Sequence, residues 1–190
     1  EALRDKQLEE YEKTQKENKF QKESNLKNEI ELIKNELKKF KIKPDYKSNL
    51  DLHENLKNLS KQFNKVKIEN IKGDKSKNII KDKKIGKIMF REQILKDFPS
   101  KELRGIIDQG KKDIKSGIVA CISIFEDKVG LAVGITQDLT SKYDAVDLVK
   151  SASEILGGKG GGGRKDFAQA GGVDKNKVEE AFKVISKKIN

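Results

Sequence analysis

The sequence predicts a small α/β (α+β) globular domain with one mixed sheet, preceded by a long antiparallel helical hairpin of coiled-coil type. Three observations predict it. Apolar residues recur at alternating steps of four and three over residues 26–40 and again over 52–66, which is a heptad seam repeated twice. From Ile85 the pattern changes to short continuous apolar runs, as in strands covered on both faces, alternating with amphipathic helical stretches. One stretch of sixteen residues, 157–172, holds eight glycines, a composition found nowhere else in the chain.

The bulk composition agrees with two unequal parts. A chain of 190 residues has room for one ordinary domain plus an appendage. Hydrophobic residues make up 34% and charged residues 38%, too little apolar material for the whole chain to form one thick globule, so part of it is expected to be elongated. Lysine and arginine number 42 against 31 acidic residues, a net charge of +11. An excess of that size favours nucleic acid or an anionic surface as partner. No apolar run approaches the roughly 18 residues of a membrane-spanning helix, and no membrane partner is expected. No signal peptide opens the chain, and the single cysteine, Cys121, precludes an internal disulfide and suits a reducing cytosol; the expected location is cytoplasmic. The chain opens on Glu1 rather than methionine, which reads as a piece of a longer protein.

Residues 1–70 form the predicted hairpin. Leu26, Ile30, Ile33, Leu37 and Phe40 make one seam; Leu3, Leu8 and Tyr11 fall outside its register, so the first turns pack differently or fray. Lys43-Pro44-Asp45 ends the first helix, since the residue before proline avoids the α region. Leu52, Leu56, Leu59, Phe63 and Val66 make the second seam. The two seams can zip within one chain or between chains, the latter giving a homodimer. His53 has no metal-ligating neighbours in sequence. Residues 71–84, rich in lysine and without apolar periodicity, read as a basic junction and a possible phosphate-contacting flank.

Residues 85–190 form the globular part. Ile88 to Leu95 alternates like a strand. Ser100 is the expected N-cap of a helix whose buried face is Leu103, Ile106, Ile107 and Ile114. Ile118–Phe125 and Val129–Ile135 are two apolar runs joined at Glu126-Asp127-Lys128, a strand hairpin. Cys121, inside the first run, reads as a buried, inert thiol. Ser141-x-x-Asp144 resembles a capping box for a helix with Ala145, Leu148, Val149, Ala152, Ile155 and Leu156 as its apolar face, ended by Gly157. Asp174 caps a last helix carrying Val178, Ala181, Phe182, Ile185 and Ile189.

The glycine stretch, read as a loop, carries the chemistry. Successive backbone N–H groups in such a segment can form an anion-binding concavity, and Lys159, Arg164 and Lys165 sit within and beside it. The candidate nucleic-acid contacts are Gly158, Lys159, Gly160, Gly161, Gly162, Gly163, Arg164, Lys165 and Gln169. Phe167 reads equally as a base-stacking ring or as an anchor to the core. A flexible glycine tether is the competing reading. The stretch is not a Walker loop, having no Gly-Lys-Ser/Thr after the spacer, and it follows a helix rather than a strand, unlike a dinucleotide fingerprint.

The run Gly157-Gly-Lys-Gly-Gly-Gly-Gly-Arg-Lys-Asp-Phe-Ala-Gln-Ala-Gly-Gly172 resembles the glycine-rich signature at the C-terminus of alanyl-tRNA synthetases, as do Ala145-Val-Asp-Leu-Val149 and Leu103-Arg-Gly-Ile-Ile-Asp108. The resemblance covers residues 85–190 by motif and 1–84 by architecture alone. A related domain ends the DHH-family phosphoesterases, whose glycine motif usually carries a histidine that is absent here. Arg164-Lys165-Asp166 stands where the family usually has Arg-Pro-Asp, which is expected to loosen the loop. The resemblance implies that the parent enzyme is an ATP-dependent alanine–tRNA ligase with a zinc ion, that neither its catalytic site nor a cofactor lies in this fragment, and that the fragment binds the elbow of tRNA(Ala), assisting aminoacylation and editing. It also implies self-association in some members. A self-association module and an accessory domain of a phosphoesterase are the alternatives.

Overall fold

The structure, a computed structural model, describes residues 2–190; Glu1, which the predicted 1–70 unit includes, lies outside the described residues. The chain separates into two compact units, Glu1–Glu69 and Asn70–Asn190.

In the first unit, α1 (Ala2–Lys39) and the start of α2 (Leu52–Gly73) form a helical hairpin within one chain. Ile30, Leu37 and Leu59 are buried together, with Ile33, Ile42, Leu52, Leu56, Phe63 and Val66 packed around them. The Phe40 and Phe63 rings lie 6.4 Å apart. The seam occupies only the second half of α1; Leu3, Leu8, Tyr11 and Phe20 are helical and exposed.

The connection between the helices is held by two amide side chains. Fully buried Asn55 donates from Nδ2 to the carbonyls of Lys47, Leu50 and Asp51, and its Oδ1 accepts from the Lys47 amide. Gln62 donates to the Lys43 carbonyl and accepts from the Asp45 amide. Such bonds replace a ladder that an irregular segment lacks. Asn55→Ala removes these bonds from the connection and is expected to cost about 1 to 2 kcal/mol, read as an earlier loss of helical circular dichroism on heating.

The second unit is built on a six-stranded mixed sheet in the order β1-β2-β3-β4-β6-β5. The strands are β1 (Asn78–Ile85), β2 (Ile88–Lys96), β3 (Gly117–Phe125), β4 (Lys128–Ile135), β5 (Gly161–Arg164) and β6 (Phe167–Gly172). β2 and β3 run parallel, joined through α3 (Leu103–Ile114); all other neighbours are antiparallel. α4 (Ala145–Ile155) and α5 (Val178–Ile189) cover one face. Their core includes Phe90, Ile118, Ile122, Leu131, Val133, Leu148, Val149, Phe182 and Ile185.

The opposite face takes α3. There β4 presents Gly130, Ala132 and Gly134, since successive residues point to opposite sides of a strand. A Cβ on Gly134 would stand 2.2 Å from Ile107 Cγ2, and one on Gly130 2.4 Å from the Ser100 Cβ. The missing side chains therefore let the helix lie close on the sheet. Cys121, fully buried on this side, has its thiol pKa pushed up by burial, consistent with an inert core thiol.

Four expectations are corrected. Residues 71–84 are not a junction: α2 runs through Gly73, and 78–85 is an edge strand. Its lysines hid it, because an edge strand tolerates charge on the side no neighbour covers. The 157–172 stretch is not a loop but mostly a β-hairpin, β5–β6. Ser100 does not cap α3 with its side chain; it opens a short 3-10 turn, Ser100–Glu102, ahead of the helix. At the next helix Asp144, not Ser141, is the N-cap, its carboxylate accepting from the Val146 amide.

Candidate nucleic-acid interface

The glycine stretch begins at the end of α4. Gly157, at φ +74, is the left-handed residue that terminates the helix; its amide donates to the Glu154 carbonyl and the Gly158 amide donates to the Ser153 carbonyl. This pair of bonds is the Schellman termination. The chain then turns through Gly160, at φ +101, and pairs as β5 against β6. The Val173 and Asp174 amides both return to the Leu156 carbonyl, and Ser153 Oγ donates to the Gly171 carbonyl at 2.9 Å. Entry and exit of the hairpin are thus tied to the same helix end.

The turn at Lys165-Asp166 is also anchored. The Lys165 carbonyl accepts from the Ala145 amide and the Asp166 carbonyl from the Ile135 amide. These bonds tie both carbonyls of the turn to the body of the unit.

The glycines do different jobs. A Cβ on Gly158 would lie 2.0 Å from the Gly171 carbonyl oxygen, one on Gly161 2.4 Å from the Gln169 carbonyl oxygen, and one on Gly163 2.3 Å from the Phe167 carbonyl oxygen. These three are required by packing inside the hairpin. Gly162 has nothing within 4 Å of its missing side chain and no left-handed φ, so the fold itself does not demand glycine there. β5 is the last strand of the sheet. In an antiparallel pair only alternate residues bond to the neighbour, so its outer edge presents backbone N–H and C=O groups to solvent.

The cations surround that edge. Lys159, Arg164 and Lys165 are all exposed. Arg164 makes a long contact with Asp166, Nε to Oδ1 3.5 Å, while 69% of its own side chain stays exposed. Such a solvated pair is worth little and leaves the guanidinium available.

The register assigns the hairpin's two faces. Ala168 and Ala170 belong to the core under α4 and α5, with Gly161 and Gly163 opposite them. Phe167 and Gln169 face α3, with Arg164 and Gly162 opposite. Gln169, expected to donate to a ligand, spends its Nε2 on the Ser100 carbonyl at 2.8 Å. Phe167 is half-buried, neither a free ring nor a buried anchor, and Arg104 Cζ lies 5.0 Å from its centroid. Arg104 is the contribution that sequence reasoning missed. It lies more than fifty positions from the glycines, and only the docking of α3 brings it to them.

The second unit matches known proteins. The model of the DHHA1 domain matches residues 82–190. Alanine–tRNA ligases of Rhodopseudomonas palustris and Bradyrhizobium diazoefficiens are 45% and 46% identical over 118 and 106 residues, covering 62% and 55% of this chain. The chain spans only 13% and 12% of the lengths of those relatives. Among solved structures, the C-Ala domain from Aquifex aeolicus alanyl-tRNA synthetase superposes with a TM-score of 0.54 at 28% identity, covering 57% of this chain and 96% of that one. With a family model matching more than half its length, the chain belongs to the DHHA1 domain family.

Proposed function

We propose that this chain is the tRNA-contacting C-terminal piece of an alanine–tRNA ligase and that the β5–β6 hairpin takes the RNA backbone. The observation that carries the reading is the free edge of β5, where Gly162 stands unhindered among exposed Lys159, Arg164 and Lys165. A phosphate can approach a backbone that has no side chain in the way, and three cations supply the counter-charge. The similarity to alanine–tRNA ligases supports tRNA as that RNA. The piece assists aminoacylation and editing performed elsewhere in the enzyme. Among the described residues no group of three or more His, Cys, Asp or Glu is placed to hold a metal ion. Among them also no helix is long and apolar enough to cross a membrane.

The test is fluorescence anisotropy of an alanine tRNA transcript over a salt series. Replacing Lys159, Arg164 and Lys165 together by alanine is expected to weaken binding about tenfold or more near physiological salt. It should also reduce the slope of log K against log salt by about 2 to 3, the loss of two or three neutralised phosphates. An unchanged slope would remove the hairpin from the binding surface.

A further inference from the structure

The side of the hairpin that faces α3 is not closed over. α3 lies on β3 and β4, where Gly134 lets it sit deep; the 3-10 turn ahead of it meets Gln169 of β6 through the Ser100 carbonyl, and the helix itself meets Phe167 through Arg104. On that side Phe167 is only half-buried, Arg104 Cζ lies 5.0 Å from its ring centroid, and the exposed Gly162 and Arg164 stand on the neighbouring strand. Arg104 is exposed, and among the described residues it forms no ion pair; its one specific contact is the Phe167 ring.

We infer that Arg104, held against Phe167, is a stacking platform for an unpaired or terminal nucleobase of the RNA whose backbone the hairpin takes, an inference that rests on the RNA-binding reading above. A guanidinium is planar and weakly hydrated, and it stacks on flat rings in a way an ammonium does not. Its Cζ lies 5.0 Å from the Phe167 centroid while the residue stays exposed, which leaves guanidinium surface for a second flat ring. RNA recognition by proteins commonly stacks splayed bases on aromatic rings or arginine planes. Gly162, on the same face, leaves the space beside the platform that a ribose and phosphate would need. The arrangement separates two tasks. Lys159, Arg164 and Lys165 neutralise phosphate, which depends on salt; Arg104 and Phe167 contact a base, which does not.

The experiment uses the whole chain and the same alanine tRNA transcript, at salt concentrations from about 50 to 200 mM. Arg104→Lys keeps the charge on an exposed site and removes the plane. It is expected to weaken binding about five- to tenfold at every salt concentration with the slope unchanged, the scale of one stacked base. Phe167→Leu should do the same and Phe167→Trp should retain full affinity, with thermal melts confirming that each variant folds. Wild-type affinity in Arg104→Lys, alongside a reduced slope in the triple alanine variant, overturns the platform and leaves the hairpin reading standing. An unchanged slope in the triple variant overturns both.

Discussion

Gly158→Ala is expected to destabilise the unit Asn70–Asn190 by about 3 kcal/mol or more, whereas Gly162→Ala, four positions along the same run, leaves it unchanged or slightly more stable. At position 158 the new methyl would stand 2.0 Å from the Gly171 carbonyl oxygen and 2.3 Å from Ser153 Oγ. The first is backbone and cannot rotate away. Relief requires β5 and the end of β6 to separate. That breaks the Ser153 Oγ–Gly171 bond and strains the Gly158–Ser153 helix-terminating bond, both under 3 Å. For a folding unit of this size such a loss lowers Tm by about 10 °C. At position 162 the methyl meets nothing within 4 Å, and the only effect on folding is the reduced freedom of the unfolded chain, worth about 0.5 kcal/mol in favour of the native state. Thermal melts of the two variants check the contrast. The tRNA affinity of Gly162→Ala carries the functional content: a stable protein with weakened binding identifies a glycine kept for the ligand, and full affinity shows that no phosphate comes that close.

Arg91→Met is the second large effect, expected to cost about 2 kcal/mol. Arg91, with only 11% of its side chain exposed, donates from Nε and Nη2 to the two oxygens of Asp82 on β1 and from Nη1 to Asp113 on α3, all within 2.9 Å. It fastens the edge strand and the helix to β2 at one point. A fully buried pair that loses one member costs about 3 to 5 kcal/mol and an exposed pair under about 1. Asp82 and Asp113 keep 38% and 43% of their side chains in solvent and can be rehydrated, which sets the value between those limits. β1 should suffer most, since Ile80 and its lysines are exposed and its other side-chain links to β2 include the Lys83–Glu92 ion pair and the hydrogen bond from Gln93 to Asn78 at the strand's start. Hydrogen exchange of the 78–85 amides is expected to accelerate while β3 and β4 stay protected; uniform acceleration would show that Arg91 does not act locally.

The same cluster gives a pH dependence. The Gln109 amide, and after it the Arg91 guanidinium, hold the Asp113 carboxyl below the usual carboxylate range. Its folded-state pKa is lowered, so the stability it contributes is present above the unfolded-state value, near 4, and is lost as pH falls through the folded value. Asp113→Asn should therefore flatten the acid limb of the stability curve below about pH 4.

Much of this architecture was legible because burial leaves a period in the sequence. The two heptad seams name the residues that meet in the hairpin, Leu37 and Leu59 among them. The apolar runs 118–125 and 129–135 are the central strands β3 and β4, and the stripes on α4 and α5 supply the core side chains. Whether the seams pair within or between chains does not follow from spacing; the Asn55 and Gln62 bonds to the connection show a turn built to close within the chain.

β1 was not legible, and neither was the form of the glycine stretch. β1 is stabilised by partners across the register, Arg91 for Asp82 and Glu92 for Lys83, and without the register its sequence is only a charged run. β5 and, apart from Phe167, β6 are strands of residues with weak strand preference, glycine above all; they pair because the ends of α4 and the side of β4 hold them. The sequence by itself determined which residues are apolar and periodic, and so the seams, the central strands and the family. Only the tertiary structure decided that the glycines form an edge hairpin, which of them are packing necessities, and that Arg104 stands over Phe167, since these depend on contacts between segments that no local pattern encodes.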